Sequence, residues 1–170
     1  MHKMKNILLI TLSLTFLGCS DDLKILEERI KSQAEKNNTE MSALEIKKTA
    51  LYLKGWGEED FYQEAIDKFL EEDKDNFPDE VTVLFTGSSS IRFWENLEED
   101  MRPLKVLNRG FGGAHIAHVN FHFEDVVEQY APQAIVFFCG TNDITALKTP
   151  EETIRDFKIF RQKARNSLPE

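Results

Sequence analysis

The sequence predicts a three-layer α/β/α domain built on a parallel sheet of the flavodoxin-like type. Three short apolar runs, at residues 81–86, 106–107 and 134–139, alternate with segments in which apolar residues recur every three or four positions. Strands that are apolar on both faces and alternate with helices form parallel sheets covered on both sides. A loop rich in glycine or small polar residues follows each run, and ligands bind at that end of such sheets.

Helical segments account for the rest of the chain. Residues 20–41 are polar and charged, and we expect a tether or a short helix there. The predicted domain runs from residue 42 to residue 170 and opens with additional helices before the first strand. In the last helix, Thr149 is the expected N-cap and Glu152 completes a capping box.

The first 19 residues resemble a bacterial lipoprotein signal peptide. A basic start is followed by an apolar stretch from Ile7 to Leu17, which is shorter than the roughly 20 residues of a membrane span. Phe16-Leu17-Gly18-Cys19 resembles a lipobox, in which the cysteine receives the lipid. We therefore expect lipidation at Cys19 and an anchored protein of the cell envelope. An ordinary cleaved signal peptide is the alternative.

Composition narrows the classes of function. The chain has 170 residues, a formal net charge of -9 and 41% hydrophobic residues, which suits one packed domain with an appendage. Nucleic-acid-binding proteins carry basic surfaces, so no nucleic-acid partner is expected. Cys139 ends the third apolar run and is expected to be a free thiol that packs as a small hydrophobe.

The first loop, Gly87-Ser88-Ser89-Ser90, places hydroxyl groups at a strand-to-helix turn. Unpaired N–H groups at the start of a helix favour the oxyanion that forms when a serine attacks a carbonyl. Serine in front of a helix is also an ordinary N-cap, so this loop alone does not establish catalysis. No Lys-Ser/Thr pair follows Gly87, which disfavours a phosphate-binding loop.

The second and third loops offer hydrogen-bond donors. Residues 108–113 include three glycines, which let backbone N–H groups approach a ligand closely. A dinucleotide-binding loop is disfavoured because His115 stands where that fingerprint needs Gly or Ala. The third loop supplies Asn142, a side-chain amide donor, and Asp143, for which a turn or capping role is favoured over acid catalysis.

Together the three loops resemble the sequence blocks of the SGNH (GDSL-like) hydrolases. Residues 85–92 are similar to the first block in a GSSS variant, with Ser88 where aspartate is commoner. Residues 108–113 resemble the second block and residues 140–143 the third. The branch that contains platelet-activating factor acetylhydrolase is the most similar one.

This resemblance implies a serine esterase or acylhydrolase that needs no cofactor or metal. It assigns the nucleophile to Ser89 and the oxyanion hole to Ser89, Gly113 and Asn142. The implied substrate is a small-molecule, carbohydrate or lipid ester. A lipid-anchored lipoprotein that keeps the crevice but only binds its ligand is the alternative.

The fourth block of the family, Asp-x-x-His, has no match among the 170 residues. We therefore expect the general base beyond residue 170, and the sequence to be the N-terminal part of a longer domain. Three strands would also leave residues 135–138 on an unprotected apolar edge. His115, His118 and His122 share helical spacing, and we expect them to be exposed helix residues rather than metal ligands.

Overall fold

The structure is a computed structural model that describes residues 5–168, with the side chains of residues 5–20 outside the described part. The chain divides into two compact units between Trp56 and Gly57. The first unit contains α1 (Lys5–Lys36) and α2 (Ala43–Trp56), which pack against each other. Because α2 packs on α1, the structure places the boundary at residue 57, whereas the sequence placed the start of the domain at residue 42.

Local chemistry defines the start of α2. The Ser42 hydroxyl accepts the N–H of Glu45 at 3.3 Å, and the Glu45 carboxylate accepts the Ser42 N–H at 2.7 Å. This reciprocal capping satisfies two donors that a helix start leaves unpaired. Within the described residues, no helix is long and apolar enough to cross a membrane. The proposed lipidation site, Cys19, lies in α1, and its side chain is outside the described part.

The second unit is an α/β domain around a three-stranded parallel sheet of order β2-β1-β3. In the register of the sheet, Gly87 lies opposite both Gly110 and Phe138, so all three strands end at one edge. The strands are β1 (Val83–Gly87), β2 (Val106–Gly110) and β3 (Ala134–Phe138). The helices are α3 (Gln63–Asn76), α4 (Ser89–Arg92), α5 (Leu97–Asp100), α6 (Ile116–Phe121), α7 (Phe123–Val126), α8 (Thr141–Thr145) and α9 (Pro150–Ser167), with a 3-10 turn at Glu128–Tyr130.

Helices cover both faces of the sheet, as the sequence predicted. Successive residues of β1 point to opposite faces, and Leu84 enters the larger core formed with α3, α6, α7 and α9. Phe85 enters a smaller core with Ile91 and Leu97 from α4 and α5. The α/β/α prediction is therefore confirmed.

Strand β3 is covered on one face only. Ile135 and Phe137 pack on the larger core, whereas Val136 and Phe138 are 39% and 53% exposed. The predicted apolar edge is present, although the prediction that every strand is buried on both faces fails at β3. Strand β2 forms the other edge of the sheet. There the Asn108 side chain accepts a hydrogen bond from the Gly110 N–H at 2.9 Å, so this main-chain donor is already paired. A covered edge is less open to pairing with another chain.

Candidate active site

Main-chain hydrogen bonds join the three loops at the carboxyl ends of the strands. The carbonyl of Gly87 accepts the N–H of Phe111 at 3.1 Å, which ties the first loop to the second. The N–H of Ser88 donates to the carbonyl of Phe138 at 3.0 Å, which ties the first loop to the end of β3. Gly87 is therefore fixed to the loop after β2, and Ser88 is fixed to the end of β3.

Only glycine fits at position 87. Its φ is +134°, a conformation that residues with a Cβ rarely adopt. A Cβ at this position would also lie 2.1 Å from the carbonyl oxygen of Phe138, far inside van der Waals contact. Gly87 thus allows β3 to approach closely enough for the Ser88–Phe138 hydrogen bond.

The three serines that follow Gly87 differ in their surroundings. Ser88 is 3% exposed and has extended backbone at the N-cap of α4, but its side chain makes no capping hydrogen bond. Ser89, the first residue of α4, is half-buried, and Ser90 is exposed. Within the described residues, no hydrogen bond involves the Ser89 hydroxyl, so it is available to a ligand. Ser88 therefore stands at the N-cap position, but its hydroxyl does not cap the helix.

The second loop docks on α4. The side chain of Asn108 donates to the carbonyl of Ile91 at 2.7 Å. A Cβ at Gly110 would lie 2.7 Å from the main-chain nitrogen of Arg92, so a glycine is needed for this close approach. Gly113 has a φ of +85°, which a glycine adopts readily. The glycines of this loop thus serve its packing on α4 and its final turn.

The third loop is held to the second through the carbonyl of Ala114. The Asn142 side chain donates to this carbonyl at 3.0 Å, and the Cys139 thiol donates to it at 3.2 Å. A side-chain amide carries two N–H hydrogens, so this contact leaves one for a ligand. Asn142 is half-buried, and its contact lies one residue from Gly113.

Asp143 has the capping role that the sequence favoured, but for a helix distant in sequence. Its two carboxylate oxygens accept the N–H of Ile116, the first residue of α6, at 3.1 and 3.3 Å. Asp143 is fully buried, and Lys148 donates to it at 2.9 Å. Sequence reasoning missed Lys148 and its second partner, Asp156, because nothing in the local pattern connects residues 143 and 156.

The prediction that the three histidines are exposed is wrong. His115, His118 and His122 are only 1%, 0% and 2% exposed. The ring of His118 packs at 4.9 Å from that of Tyr62, so aromatic side chains cover α6 on the side that we took as solvent-facing. Apolar spacing identifies one buried face of a helix but cannot reveal a short helix enclosed on several sides.

The surroundings of these histidines do not favour a role as the base. The Nδ1 of His118 accepts the His115 N–H at 2.9 Å, and its Nε2 hydrogen-bonds the carbonyl of Glu58 at 3.1 Å. Burial, followed by the charges of His118 and Lys148, lowers the pKa of His115 to about 3. Burial also lowers the pKa of His122. In the described part of the chain, no group of His, Cys, Asp and Glu side chains could hold a metal ion.

Two further residues next to the loops, Cys139 and Arg109, have roles in packing and in holding the elements together. Cys139 is a free, half-buried thiol, and burial together with the Asp143 charge raises its pKa to about 12. Arg109 is buried and forms an ion pair with Asp73, and its Nε donates to the Tyr130 hydroxyl at 2.8 Å. Arg109 therefore joins β2 to α3 and is absent from the ligand-facing surface of the loops.

A cleft of about 380 Å³ lies beside the second loop. Its walls combine aromatic side chains with the loop backbone at Gly110 and Gly112. Arg92 also lines this cleft and lies close to Gly112, where a Cβ would be 2.9 Å from its guanidinium. Ser89 is not among the residues that line the cleft. The aromatic residues are Phe61, Tyr62, Phe69 and Phe111.

Comparison with known proteins identifies distant relatives of one kind. The chain is 33% identical over 89 residues to subunit alpha2 of platelet-activating factor acetylhydrolase IB from Homo sapiens, Bos taurus and Rattus norvegicus. The match covers 50% of this chain and 38% of each relative, so the chain spans well under half the length of these proteins. No family model matches the sequence.

A solved structure supports the fold. The chain aligns with a structure from Streptococcus pneumonia described as a candidate platelet activating factor, with a TM-score of 0.54 and 20% identity. The alignment covers 74% of this chain and 56% of the other. At that identity the likeness concerns the fold alone. Over about half of its length the chain is thus distantly similar to platelet-activating factor acetylhydrolase, and its α/β/α fold is consistent with the SGNH and flavodoxin-like type.

Proposed function

We propose that this chain carries the nucleophile and the oxyanion hole of a serine esterase or acylhydrolase. The observation that supports this most directly is the position of Ser89. It lies at the strand-to-helix turn where three loops meet, and its hydroxyl is free of hydrogen bonds within the described residues. The relatives named as acetylhydrolases favour the same class of reaction.

In the proposed reaction, the Ser89 oxygen attacks the ester carbonyl carbon and a base removes the hydroxyl proton. The carbonyl oxygen gains the negative charge and is bound by the N–H groups of Ser89 and Gly113 and by the free amide hydrogen of Asn142. The tetrahedral intermediate then breaks its bond to the alcohol oxygen, which takes the proton from the base. Water hydrolyses the resulting acyl-enzyme by the same steps and frees Ser89.

We propose that the base is supplied from outside residues 1–170. A serine hydroxyl is a weak nucleophile at neutral pH and needs an adjacent base. The three described histidines are buried, and His118 uses both ring nitrogens in hydrogen bonds. A histidine oriented by an aspartate, as in the Asp-x-x-His block of the SGNH family, would complete the site.

Hydrolysis of an activated aryl acetate tests this proposal. The chain without residues 1–19 should accelerate hydrolysis at most about 10³–10⁴-fold over the rate in water, which is what triad deletions leave in other serine hydrolases. Extension with the downstream coding sequence that carries Asp-x-x-His should restore turnover. Ser89→Ala should abolish that turnover, and Ser90→Ala, the matched control, should retain it. Ordinary enzyme rates from the short chain would contradict the assignment of the base.

The substrate proposed is an acetyl or other short-chain ester of a carbohydrate or lipid. The relatives are named for acetyl hydrolysis, which favours a short acyl group. In the extended chain, turnover of aryl acetate should exceed that of the corresponding aryl decanoate. Equal or faster turnover of the decanoate would contradict the short-chain proposal.

We also propose that Cys19 is lipidated and anchors the protein in a bacterial cell envelope. The basic and apolar leader followed by Phe16-Leu17-Gly18-Cys19 supports this. Cells that express the chain should incorporate labelled fatty acid into it, and Cys19→Ala should abolish the label. Cys139→Ala is the matched control and should keep it. Label that persists in Cys19→Ala would contradict the anchor.

The second candidate function is a lipid-anchored lipoprotein that binds an ester without hydrolysing it. The burial of the three described histidines favours this alternative, because the described part of the chain then lacks an accessible base. Downstream coding sequence without Asp-x-x-His would support it. Turnover by the extended chain would exclude it.

A further inference from the structure

A buried charge cluster lies directly behind the third loop. The Lys148 ammonium donates to the Asp143 carboxylate at 2.9 Å and to the Asp156 carboxylate at 3.0 Å. The Lys148 side chain is 21% exposed, and those of Asp143 and Asp156 are 0% and 9% exposed. The cluster therefore connects α8, which carries the third loop, to α9.

The cluster reaches the proposed oxyanion donors through short covalent paths. Asp143 follows Asn142 in the chain, and its carboxylate fixes the N–H of Ile116. The carbonyl of Ala114, which follows Gly113, accepts the Asn142 amide at 3.0 Å. The second and third loops are thus linked at two points, each within three residues of Gly113.

Lys148 supplies the positive charge that faces Asp143. Burial alone would lower the pKa of Lys148, but the hydrogen bonds and charges of Asp143 and Asp156 raise it overall, so the ammonium stays charged. Arg155 pairs with Asp156 at 3.3 Å, whereas Lys148 is the only cation that pairs with Asp143 in the described part of the chain. Removal of one partner from a buried ion pair leaves an uncompensated charge, which a carboxylate relieves by moving or by binding a proton.

We infer that Lys148 is a positioning residue that holds the Gly113 N–H and the Asn142 amide at the spacing an oxyanion requires. It acts by holding the Asp143 carboxylate directed at the Ile116 N–H, so that the second loop cannot shift away from the third. This inference rests on the proposed function of Ser89. It adds a residue to the site that lies in none of the three sequence motifs.

Binding of phenylboronic acid tests the inference without the need for turnover. A boronic acid forms a tetrahedral adduct with a nucleophilic serine, and one of its oxygens occupies the oxyanion position. Boron-11 NMR of the extended chain, which carries the Asp-x-x-His block, should detect an adduct that Ser89→Ala in the same chain lacks. Lys148→Met, which removes the charge but keeps the length, should weaken this binding about 10-fold or more, because loss of an oxyanion donor costs about 10²–10³ in rate.

Two variants separate positioning from general stability. Lys148→Arg keeps a cation and its donors and should restore binding to within about 3-fold of the wild type. Lys163→Met is the matched control, because Lys163 is a part-buried lysine of α9 that donates to a main-chain carbonyl, that of Asn120, at 3.0 Å. It should change the melting temperature without changing boronate affinity. If Lys148→Met does not fold, Asp156→Asn takes its place, with a smaller loss expected.

The outcomes distinguish the two proposals. If the wild type forms no adduct that depends on Ser89, the proposed function fails and the inference falls with it. If the adduct forms and a folded Lys148→Met or Asp156→Asn binds as tightly as the wild type, the inference alone is overturned. Weaker binding that Lys148→Arg restores supports both.

Discussion

Replacement of Gly87 by alanine would test how the three loops are held together. The new Cβ would meet the Phe138 carbonyl oxygen at 2.1 Å and would also force alanine to adopt a φ of +134°. Positive φ costs a residue with a Cβ about 1–2 kcal/mol, and overpacking costs about 1–3 kcal/mol. We therefore expect Gly87→Ala to lower the free energy of unfolding by about 2–5 kcal/mol.

Three other glycines separate the two costs. Gly140 has a φ of +125° but its Cβ would have no neighbour closer than 3.7 Å, so Gly140→Ala should lose only about 1–2 kcal/mol. A Cβ at Gly110 would lie 2.7 Å from the main-chain nitrogen of Arg92, so overpacking in Gly110→Ala should lower the free energy of unfolding by about 1–3 kcal/mol. Gly55, inside α2, has open space, and alanine there should gain up to about 1 kcal/mol.

Urea unfolding is the assay for these variants. Trp94 packs at 5.7 Å from the ring of Phe85, so its fluorescence reports on the smaller core beside β1. Gly87→Ala should have a lower unfolding midpoint than both Gly140→Ala and Gly110→Ala. A midpoint for Gly87→Ala equal to that of Gly140→Ala would show that β3 yields without cost, and the close approach of these strands would then not hold the loops.

Three further predictions concern charge and capping. In the unfolded chain His115 binds a proton near pH 6.5, whereas the buried ring stays neutral down to about pH 3. The free energy of unfolding should therefore decrease as the pH is lowered below 6.5, by at most about 1.4 kcal/mol per pH unit from this residue. Denaturation between pH 6.5 and 5 measures the slope, and an undiminished slope in His115→Gln would contradict the assignment. Thr149→Ala removes the hydroxyl that accepts the Glu152 N–H at 3.2 Å and should cost about 1 kcal/mol in urea unfolding; no loss would show that the cap contributes nothing. Asp73→Asn leaves buried Arg109 without its counter-charge and should cost about 3–5 kcal/mol, and a thermal shift no larger than that of Thr149→Ala would refute this.

The sequence predicted those features that depend on local pattern. The three strands, the helical cover and the Thr149 capping box follow from apolar spacing and from side chains that act within a few residues. The meeting of the loops follows from one rule, that parallel strands end at one edge of a sheet.

The sequence could not predict features that depend on contacts between distant residues. The burial of His118 is set partly by Tyr62, more than 50 positions away. Asp143 accepts hydrogen bonds from Ile116 of α6 and from Lys148, which also donates to Asp156 of α9, and a single sequence does not display such pairings. The preference for packing α2 on α1 rather than placing it in the α/β domain was equally invisible to local spacing.

Peptide mapping of the acyl-enzyme is the most direct test of the central claim, that Ser89 is the nucleophile of an ester hydrolase. The extended chain would be mixed with an aryl acetate, quenched in acid and digested, and the acetylated residue would be identified by mass spectrometry. The account predicts acetyl on Ser89, its loss in Ser89→Ala and its persistence in Ser90→Ala. Acetyl on Ser88 or Ser90, or labelling unchanged in Ser89→Ala, would contradict the account.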